Sequence, residues 1–206
     1  MATSLPRKHI YIIGAQCTGK TTLVNALEQH FAQTLQASNR PAIIREVART
    51  VLKDHGFTAE DIVSSKERSL ALQKLILEAQ ATAEMSALGQ AAWFVSDRSG
   101  ADPIVYALKH VGREAADGLL RSTEWLGLRA RMATALVVVC QGGLDWLSDD
   151  GVRLLPADEQ DWKEFHDMFC DFLADCRLEF VVLPREVADI SERVRFVLSK
   201  WNSRLV

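Results

Sequence analysis

Short, uninterrupted apolar runs alternate along this chain with longer segments whose apolar residues recur every three or four positions. Ile10-Tyr11-Ile12-Ile13 is the first run and marks a strand predicted over 8–13. Leu23, Val24, Leu27, Phe31 and Leu35 then keep a helical stripe over about 20–37. Asn39-Arg40-Pro41 reads as a turn into a short strand, Ala42-Ile43-Ile44, followed by a helix to His55 that Gly56 stops. Thr58 and Asp61 fit a capping box for one long helix ending before Gly89, and its Leu72, Leu75, Ile76 and Ala79 read as core packing. Trp93-Phe94-Val95 is a third strand ending in Ser96-Asp97-Arg98, and helical patterns follow over about 101–110 and 113–131. Leu136-Val137-Val138-Val139-Cys140 is a fourth strand, apolar throughout as in a sheet covered on both faces. The stripe Trp162, Phe165, Phe169, Phe172, Leu173 and Cys176 predicts a helix, Phe180-Val181-Val182-Leu183 a fifth strand, and Ile190, Val194, Val197, Leu198 and Trp201 a last helix. Strands separated by helices in this order predict an α/β fold: one five-stranded parallel sheet with helices on both faces, in a single domain over 1–206. The polar, glycine-containing stretch 141–158 interrupts the alternation and is a candidate lid.

Composition narrows the function classes. With 48% hydrophobic residues the 206-residue chain can bury a sizeable core. Its formal charge of −3 supplies no basic excess to neutralise a phosphate backbone, so a nucleic-acid partner is not expected. No apolar stretch approaches the ~20 residues that span a bilayer, and the short polar start is not expected to be a secretory signal. Cys17, Cys140, Cys170 and Cys176 lack metal-ligand spacing and read as free thiols of a cytoplasmic protein. The histidines form no ligand pairs; His30 and His166 read as surface or packing residues.

The most specific chemistry lies between the first strand and its helix, at Gly14-Ala15-Gln16-Cys17-Thr18-Gly19-Lys20-Thr21-Thr22. Two glycines five apart, followed at once by lysine and a hydroxyl residue, match a phosphate-binding loop in the required context of strand, loop and helix. A polyphosphate is wrapped by successive backbone N–H groups, which approach closely only where side-chain bulk is absent, as at Gly14 and Gly19. The helix that starts near Gly19 adds unpaired N–H groups and a partial positive charge. Lys20 brings a full charge to the terminal phosphates, and the Thr21 hydroxyl is an oxygen ligand for Mg²⁺. A P-loop NTPase fold binding ATP or GTP with Mg²⁺ is therefore expected.

In such sheets ligands bind beyond the carboxyl ends of the strands. Asp97 ends the third strand, where a carboxylate can hold Mg²⁺ or take a proton from an attacking hydroxyl. Arg98 beside it can grip a phosphate or carboxylate. Glu46 follows the second strand and reads either as a base or substrate acceptor or as a dipole-favoured acid at a helix start. Arg45 and Arg49 fit solvated or anion-binding roles equally, and Asp102 reads as a first-turn acid. Arg121, Arg129 and Arg131 read as the wet face of a helix, the alternative being a charged face turned toward the site. Arg153, in the candidate lid, can cover phosphates and stabilise charge during transfer.

The ordered set Gly14–Thr21, Arg45-Glu46-Val47-Ala48-Arg49, Ser96-Asp97-Arg98-Ser99 with Asp102 and Tyr106, and Asp150-Gly151-Val152-Arg153 resembles the NadR-like AAA-domain P-loop proteins, a group that includes a ribosylnicotinamide kinase domain. The resemblance runs from Ile10 to about Trp201. It implies a kinase-type fold. It also implies phosphates and metal on Gly14, Gly19, Lys20 and Thr21, Asp97 and Arg98 at the acid–arginine position, and Glu46 at the substrate end. Arg153 would belong to the lid, and Pro184-Arg185-Glu186 would lie near the nucleotide base. No second AAA core with sensor arginines is seen, so a ring-forming motor is not expected. The expected activity is transfer of a phosphoryl group from a nucleotide triphosphate to a small-molecule acceptor such as a nucleoside; the alternative is a nucleotide-binding regulatory switch.

Overall fold

The structure is a computed structural model that describes residues 8–142 and 158–203. Residues 143–157, and with them Arg153 and most of the predicted lid, lie outside the described residues. Strands β1 (Ile10–Ile13), β2 (Ala42–Ile44), β3 (Phe94–Asp97), β4 (Leu136–Cys140) and β5 (Val181–Leu183) form one parallel sheet in the order β2-β3-β1-β4-β5. The connecting helices are α1 (Lys20–Thr34), α2 (Val47–His55), α3 (Ala59–Ser64), α4 (Lys66–Gln90), α5 (Ala101–His110), α6 (Arg113–Leu120), α7 (Thr123–Met132), α8 (Glu159–Asp175) and α9 (Ile190–Ser203).

Alternation along β1 explains the two layers. Ile10 and Ile12 point to one face, into a core with Leu23, Leu27 and Phe31 of α1 and Val197 and Trp201 of α9. Tyr11 and Ile13 point to the other, into a core with Ile104 and Val105 of α5, Leu128 of α7 and Phe165 and Phe169 of α8. Every residue of β1 and β4 is buried, as their unbroken apolar runs require. Trp93 stacks on Trp201 with ring centroids 4.8 Å apart, and the Trp201 indole donates to the Lys8 carbonyl at 2.8 Å, tying the last helix to the start of the sheet. No described helix is long and apolar enough to cross a membrane.

Two predicted helices are each divided. The Thr58–Asp61 capping box forms, with Asp61 N donating to Thr58 Oγ1 at 3.3 Å and Thr58 N to Asp61 Oδ2 at 2.8 Å, but it caps only α3. Ser65 then takes extended backbone angles, and its hydroxyl accepts from Arg68 N at 3.2 Å to start α4 afresh. The segment predicted over 113–131 breaks in the same way at Ser122, whose hydroxyl accepts from Trp125 N at 3.1 Å. The break at Ser65 turns α3 back along α4, so that Ile62 joins Leu72 and Ile76 in a small separate core.

Candidate functional site

The parallel register brings the carboxyl ends of β1 and β3 together: Ile12 is opposite Asp97, and the loop after Ile13 leads directly to α1. Gly14 has φ +126°, and a Cβ there would lie 2.7 Å from the Cys140 carbonyl oxygen of β4, so the close approach of loop to strand end demands glycine. Gly19, at φ +72°, turns the chain in left-handed geometry into α1. Cys17 holds a left-handed φ of 56° with its side chain buried.

Around this turn the predicted loop residues are tightly organised. Lys20 is buried, and its Nζ donates to the Ala15 carbonyl and, at 3.2 Å, to Thr18 Oγ1. Thr18 Oγ1 also donates to the Ala15 carbonyl at 3.1 Å. The Gln16 carbonyl accepts from the Trp162 indole at 3.0 Å and its side-chain oxygen from the Tyr106 hydroxyl at 3.2 Å, anchoring the loop to α8 and α5. Thr22 is exposed at the start of α1. Arg193 of α9 is buried and donates to the Thr18 carbonyl at 2.9 Å, supporting the loop from behind. Burial, reinforced by the charge of Arg98, lowers the Lys20 ammonium from 10.5 to about 8, against opposing contributions from Asp102 and Asp97.

Thr21 and Asp97 meet: Thr21 Oγ1 donates to Asp97 Oδ2 at 2.6 Å. Asp97 is 1% exposed, and its other oxygen, Oδ1, is buried without a hydrogen-bond partner. No cluster of three or more His, Cys, Asp or Glu side chains suited to a metal occurs among the described residues. A hydroxyl, an unsatisfied carboxylate oxygen and a phosphate-binding loop together fit Mg²⁺, which is held by few protein oxygens and completed by phosphates and water.

Beside the loop, Glu46 and Arg98 converge. Arg98 Nε donates to Glu46 Oε1 at 2.6 Å and Nη1 to Asp102 Oδ1 at 3.2 Å, while Arg49 Nε donates to Glu46 Oε2 at 2.8 Å. Burial works against the Glu46 carboxylate, but Arg98 and Arg49 outweigh it and hold its pKa at about 2. Burial also works against the Arg98 cation, yet Glu46, Tyr106 and Asp102 carry its pKa well above the ordinary guanidinium value. Asp102 accepts from Ser99 N at 2.8 Å and Ser99 Oγ at 3.0 Å; burial dominates and raises its pKa in spite of Arg98. Arg98 has φ 82°, a strained left-handed conformation for a non-glycine residue, at a position where its N–H also donates to the Ile12 carbonyl at 3.0 Å.

This charged cluster forms one end of a narrow pocket whose enclosed volume is about 80 Å³. Gln16, Glu46, Arg98 and Tyr106 line that end; Leu52, Ile62, Leu72 and Ile76 line the rest with Gln73. Asp97 is not among the lining residues.

Of the sequence-predicted site, the loop residues, Asp97, Arg98 and Glu46 are brought together. Arg45 turns away to Glu28 and Asn25 of α1, and the exposed Arg185 reaches Glu159 and, through its N–H, Gln141. Asp102 is more than a first-turn acid, since it binds Arg98. Arg129 and Arg131 are not simply a wet face: Arg129 donates to the Cys176 carbonyl, and Arg131 pairs at 2.7 Å with Glu84, whose side chain is fully buried. Sequence reasoning missed Arg193 and Gln73. Both are polar residues at apolar phases, Arg193 between Ile190 and Val197, Gln73 among Leu72, Ile76 and Leu77.

An AAA-domain family profile matches residues 9–193. No curated protein matches the chain by sequence. Among solved structures, NadR in complex with NR superposes with a TM-score of 0.69 at 20% identity, covering 98% of this chain and 52% of that one, so the present chain spans about half of NadR. The deoxyadenosine kinase from M. mycoides, with dCMP and dCDP bound, gives 0.62 at 15% identity, covering 95% of this chain and 99% of that one. Shikimate kinase from Acinetobacter baumannii in complex with shikimate gives 0.54 at 13%, covering 98% and 94%. The strand order, the loop between β1 and α1 and the extent of the family match lead to one conclusion: the chain belongs to the AAA-domain family and has a NadR-like P-loop kinase fold.

Proposed function

We propose that the protein is a Mg²⁺-dependent kinase that transfers the γ-phosphoryl group of ATP or GTP to a hydroxyl of a small molecule, with nucleosides such as ribosylnicotinamide as the candidate acceptor class. The observation that carries this reading is the pairing of Thr21 with Asp97 at the phosphate loop, next to a separate pocket headed by Glu46 and Arg98. A nucleotide switch needs the loop alone; a kinase also needs a second site alongside it.

The backbone N–H groups from Gly14 to Thr22 and the Lys20 ammonium bind the phosphates. Thr21 and Asp97 would hold Mg²⁺, which would offset the charge that develops on the phosphoryl oxygens. Glu46 lines the pocket and Asp97 does not, so the acceptor hydroxyl falls to Glu46 and the metal side to Asp97. A carboxylate held at about 2 is a weak base but a permanent hydrogen-bond acceptor, suited to orienting an oxygen. The new bond joins that oxygen to the γ-phosphorus as the bond to the β–γ bridging oxygen breaks. A nucleoside diphosphate departs, and the hydroxyl proton, released as the new bond forms, passes to water. Arg98 steadies Glu46 and supplies positive charge next to the transferring group.

The test is transfer of labelled γ-phosphate from ATP or GTP to a panel of nucleosides and other small hydroxyl compounds with Mg²⁺. A phosphorylated product that disappears in Lys20→Ala is expected. Tight nucleotide binding with no product across the panel would overturn the kinase reading in favour of a nucleotide-controlled binding module.

A further inference from the structure

Arg193, Val197 and Trp201 share the buried stripe of α9, each one turn from the next. Val197 and Trp201 pack into the core with Ile10, Ile12 and Leu23. Arg193 is 3% exposed, and a methionine there would continue the apolar stripe. A cation is instead taken out of water, which is costly unless its donors are used. Its Nη2 donates to the Thr18 carbonyl at 2.9 Å. The guanidinium also lies against Gly19, where a Cβ would stand 3.6 Å from Nη1. Its charge and a hydrogen bond act on the Cys140 thiol at the end of β4, against the burial that raises that thiol's pKa. The start of α9 is itself fixed: Asp189 accepts from Glu192 N at 3.0 Å through its carboxylate and from Arg193 N at 3.0 Å through its carbonyl.

Thr18 is gripped twice. Its hydroxyl accepts from Lys20 Nζ at 3.2 Å, while its carbonyl accepts from Arg193. In a trans peptide the carbonyl and the following N–H point in opposite directions. A Thr18 carbonyl turned to α9 therefore turns the Gly19 N–H away from α9. This peptide precedes a glycine at φ +72°, and glycine takes positive and negative φ about equally well, so the plane can rotate at little steric cost. Half a turn would exchange the two groups and present an oxygen where the N–H stands. A phosphate is held by N–H groups and repelled by carbonyl oxygens, so only one of the two orientations serves the loop. The group that holds the carbonyl makes the choice.

We propose that Arg193 is a positioning residue of the nucleotide site: it locks the Thr18–Gly19 peptide with its N–H toward the phosphate chain and its carbonyl toward α9. It acts through the main chain of the loop rather than on the reacting atoms. This inference rests on the nucleotide-binding part of the proposed function and not on the identity of the acceptor. Its size follows from the fraction of loops in the competent orientation. If loss of the bond lets that fraction fall to about a tenth, the apparent Kd rises about tenfold.

The experiment combines calorimetry and NMR on the full chain. Mg²⁺–AMP-PNP and Mg²⁺–tripolyphosphate are titrated into the unsubstituted protein, Arg193→Met, Arg193→Lys and Val197→Ala. Arg193→Met should weaken both ligands by about tenfold or more, and by the same factor, since the fault lies at the phosphates. Arg193→Lys keeps a charged donor for the carbonyl and should recover most of the affinity. Val197→Ala loosens the same helix one turn further on; it should melt lower yet bind both ligands within about twofold of the unsubstituted protein. A measurement that needs no variant uses the unsubstituted protein labelled in backbone nitrogen and carbonyl carbon: Mg²⁺–AMP-PNP should shift the Gly19 amide and leave the Thr18 carbonyl nearly in place. Affinity within about twofold of the unsubstituted protein in Arg193→Met, an equal loss in Val197→Ala, or a nucleotide-dependent shift at the Thr18 carbonyl without one at the Gly19 amide overturns the inference. Phosphoryl transfer with the KM for nucleotide unchanged in Arg193→Met would likewise overturn it while sustaining the kinase reading. Nucleotide binding that depends on Arg193, with no transfer to any acceptor, would sustain it and overturn the kinase reading.

Discussion

Nucleotide binding should be accompanied by proton uptake at Lys20. The ammonium lies buried behind the phosphate loop with a pKa lowered to about 8, chiefly by loss of hydration and further by Arg98. At pH 8 the protein alone therefore carries the Lys20 charge about half the time. A triphosphate brings several negative charges to within contact of Nζ and favours the charged form, so the complex titrates well above 8. Linkage then fixes the sign and size. If only the charged form binds strongly, uptake is about a tenth of a proton per nucleotide at pH 7, about half at pH 8 and about nine-tenths at pH 9, and affinity falls about tenfold, or roughly 1.4 kcal/mol, from pH 7 to pH 9.

Calorimetry in buffers of different ionisation heat reads the proton count directly, since the apparent binding enthalpy shifts with buffer in proportion to protons taken up. A magnesium-bound triphosphate is already fully ionised over this range, so the slope belongs to the protein. Lys20→Arg is the control: a guanidinium keeps its charge at these pH values, so the slope should vanish whatever happens to the absolute affinity. An affinity that stays flat from pH 7 to pH 9, with no buffer-dependent enthalpy, would refute the reasoning. The same lowered pKa carries a stability consequence with the sign of a depressed lysine. The charged form is disfavoured by folding below pH 8, and this penalty, roughly 3 kcal/mol at most, fades as pH rises from 8 toward 10.5.

Two further outcomes follow from the strand-end carboxylates. Asp97→Asn keeps the shape and a partner for Thr21 but removes the charge beside it; turnover should fall about 100-fold and the Mg²⁺ concentration for half-maximal rate should rise, as read from Mg²⁺ titrations of the initial rate. Glu46→Gln leaves Arg49 and Arg98 short of a counter-charge and should cost about 1–3 kcal/mol in urea unfolding. Because the folded Glu46 titrates at about 2, below its ordinary 4.5, its contribution is present above pH 4.5 and is lost as pH falls toward 2; urea midpoints measured between pH 6 and pH 3 should drop less steeply in Glu46→Gln.

The parts of the fold legible in the sequence are those where one local signal suffices. The run Ile10–Ile13, the glycines at 14 and 19 and the stripe from Leu23 to Phe31 specify strand, turn and helix without help from distant residues. The helix breaks at Ser65 and Ser122 were not legible, because both serines sit in runs that continue helical periodicity. There the hydroxyl's competing bond to the backbone, together with the packing of Ile62 and Trp125, decides for a cap. The charged end of the pocket was legible as polar residues after apolar strands. Its aliphatic end was not, since Leu72 and Ile76 look the same to a periodicity reading whether they face another helix or a ligand. Arg131 shows the same limit from the other side. Its place on the helix suggests solvent, but the partner that defines its role, Glu84, is 47 residues away.

The strain at Arg98 connects these observations. A left-handed residue at the end of β3 costs of order 1–3 kcal/mol, and a glycine would remove that cost. Glycine would also remove the guanidinium that joins Glu46 after β2 to Asp102 at the start of α5, while the Arg98 N–H holds the end of β3 to Ile12 of β1. Three strand or helix termini are thus tied at one residue, one position from the carboxylate that meets Thr21 of the phosphate loop. A straight exit from β3 would carry the chain on beyond the carboxyl end of the sheet. The left-handed turn sets Arg98 on the pocket side, with its backbone amide still bonded to β1 and its side chain between two carboxylates. The phosphate loop and the pocket headed by Glu46 and Arg98 are thereby held in fixed relation by adjacent residues of one strand end, an arrangement that the proposed in-line transfer between two separately bound ligands would require.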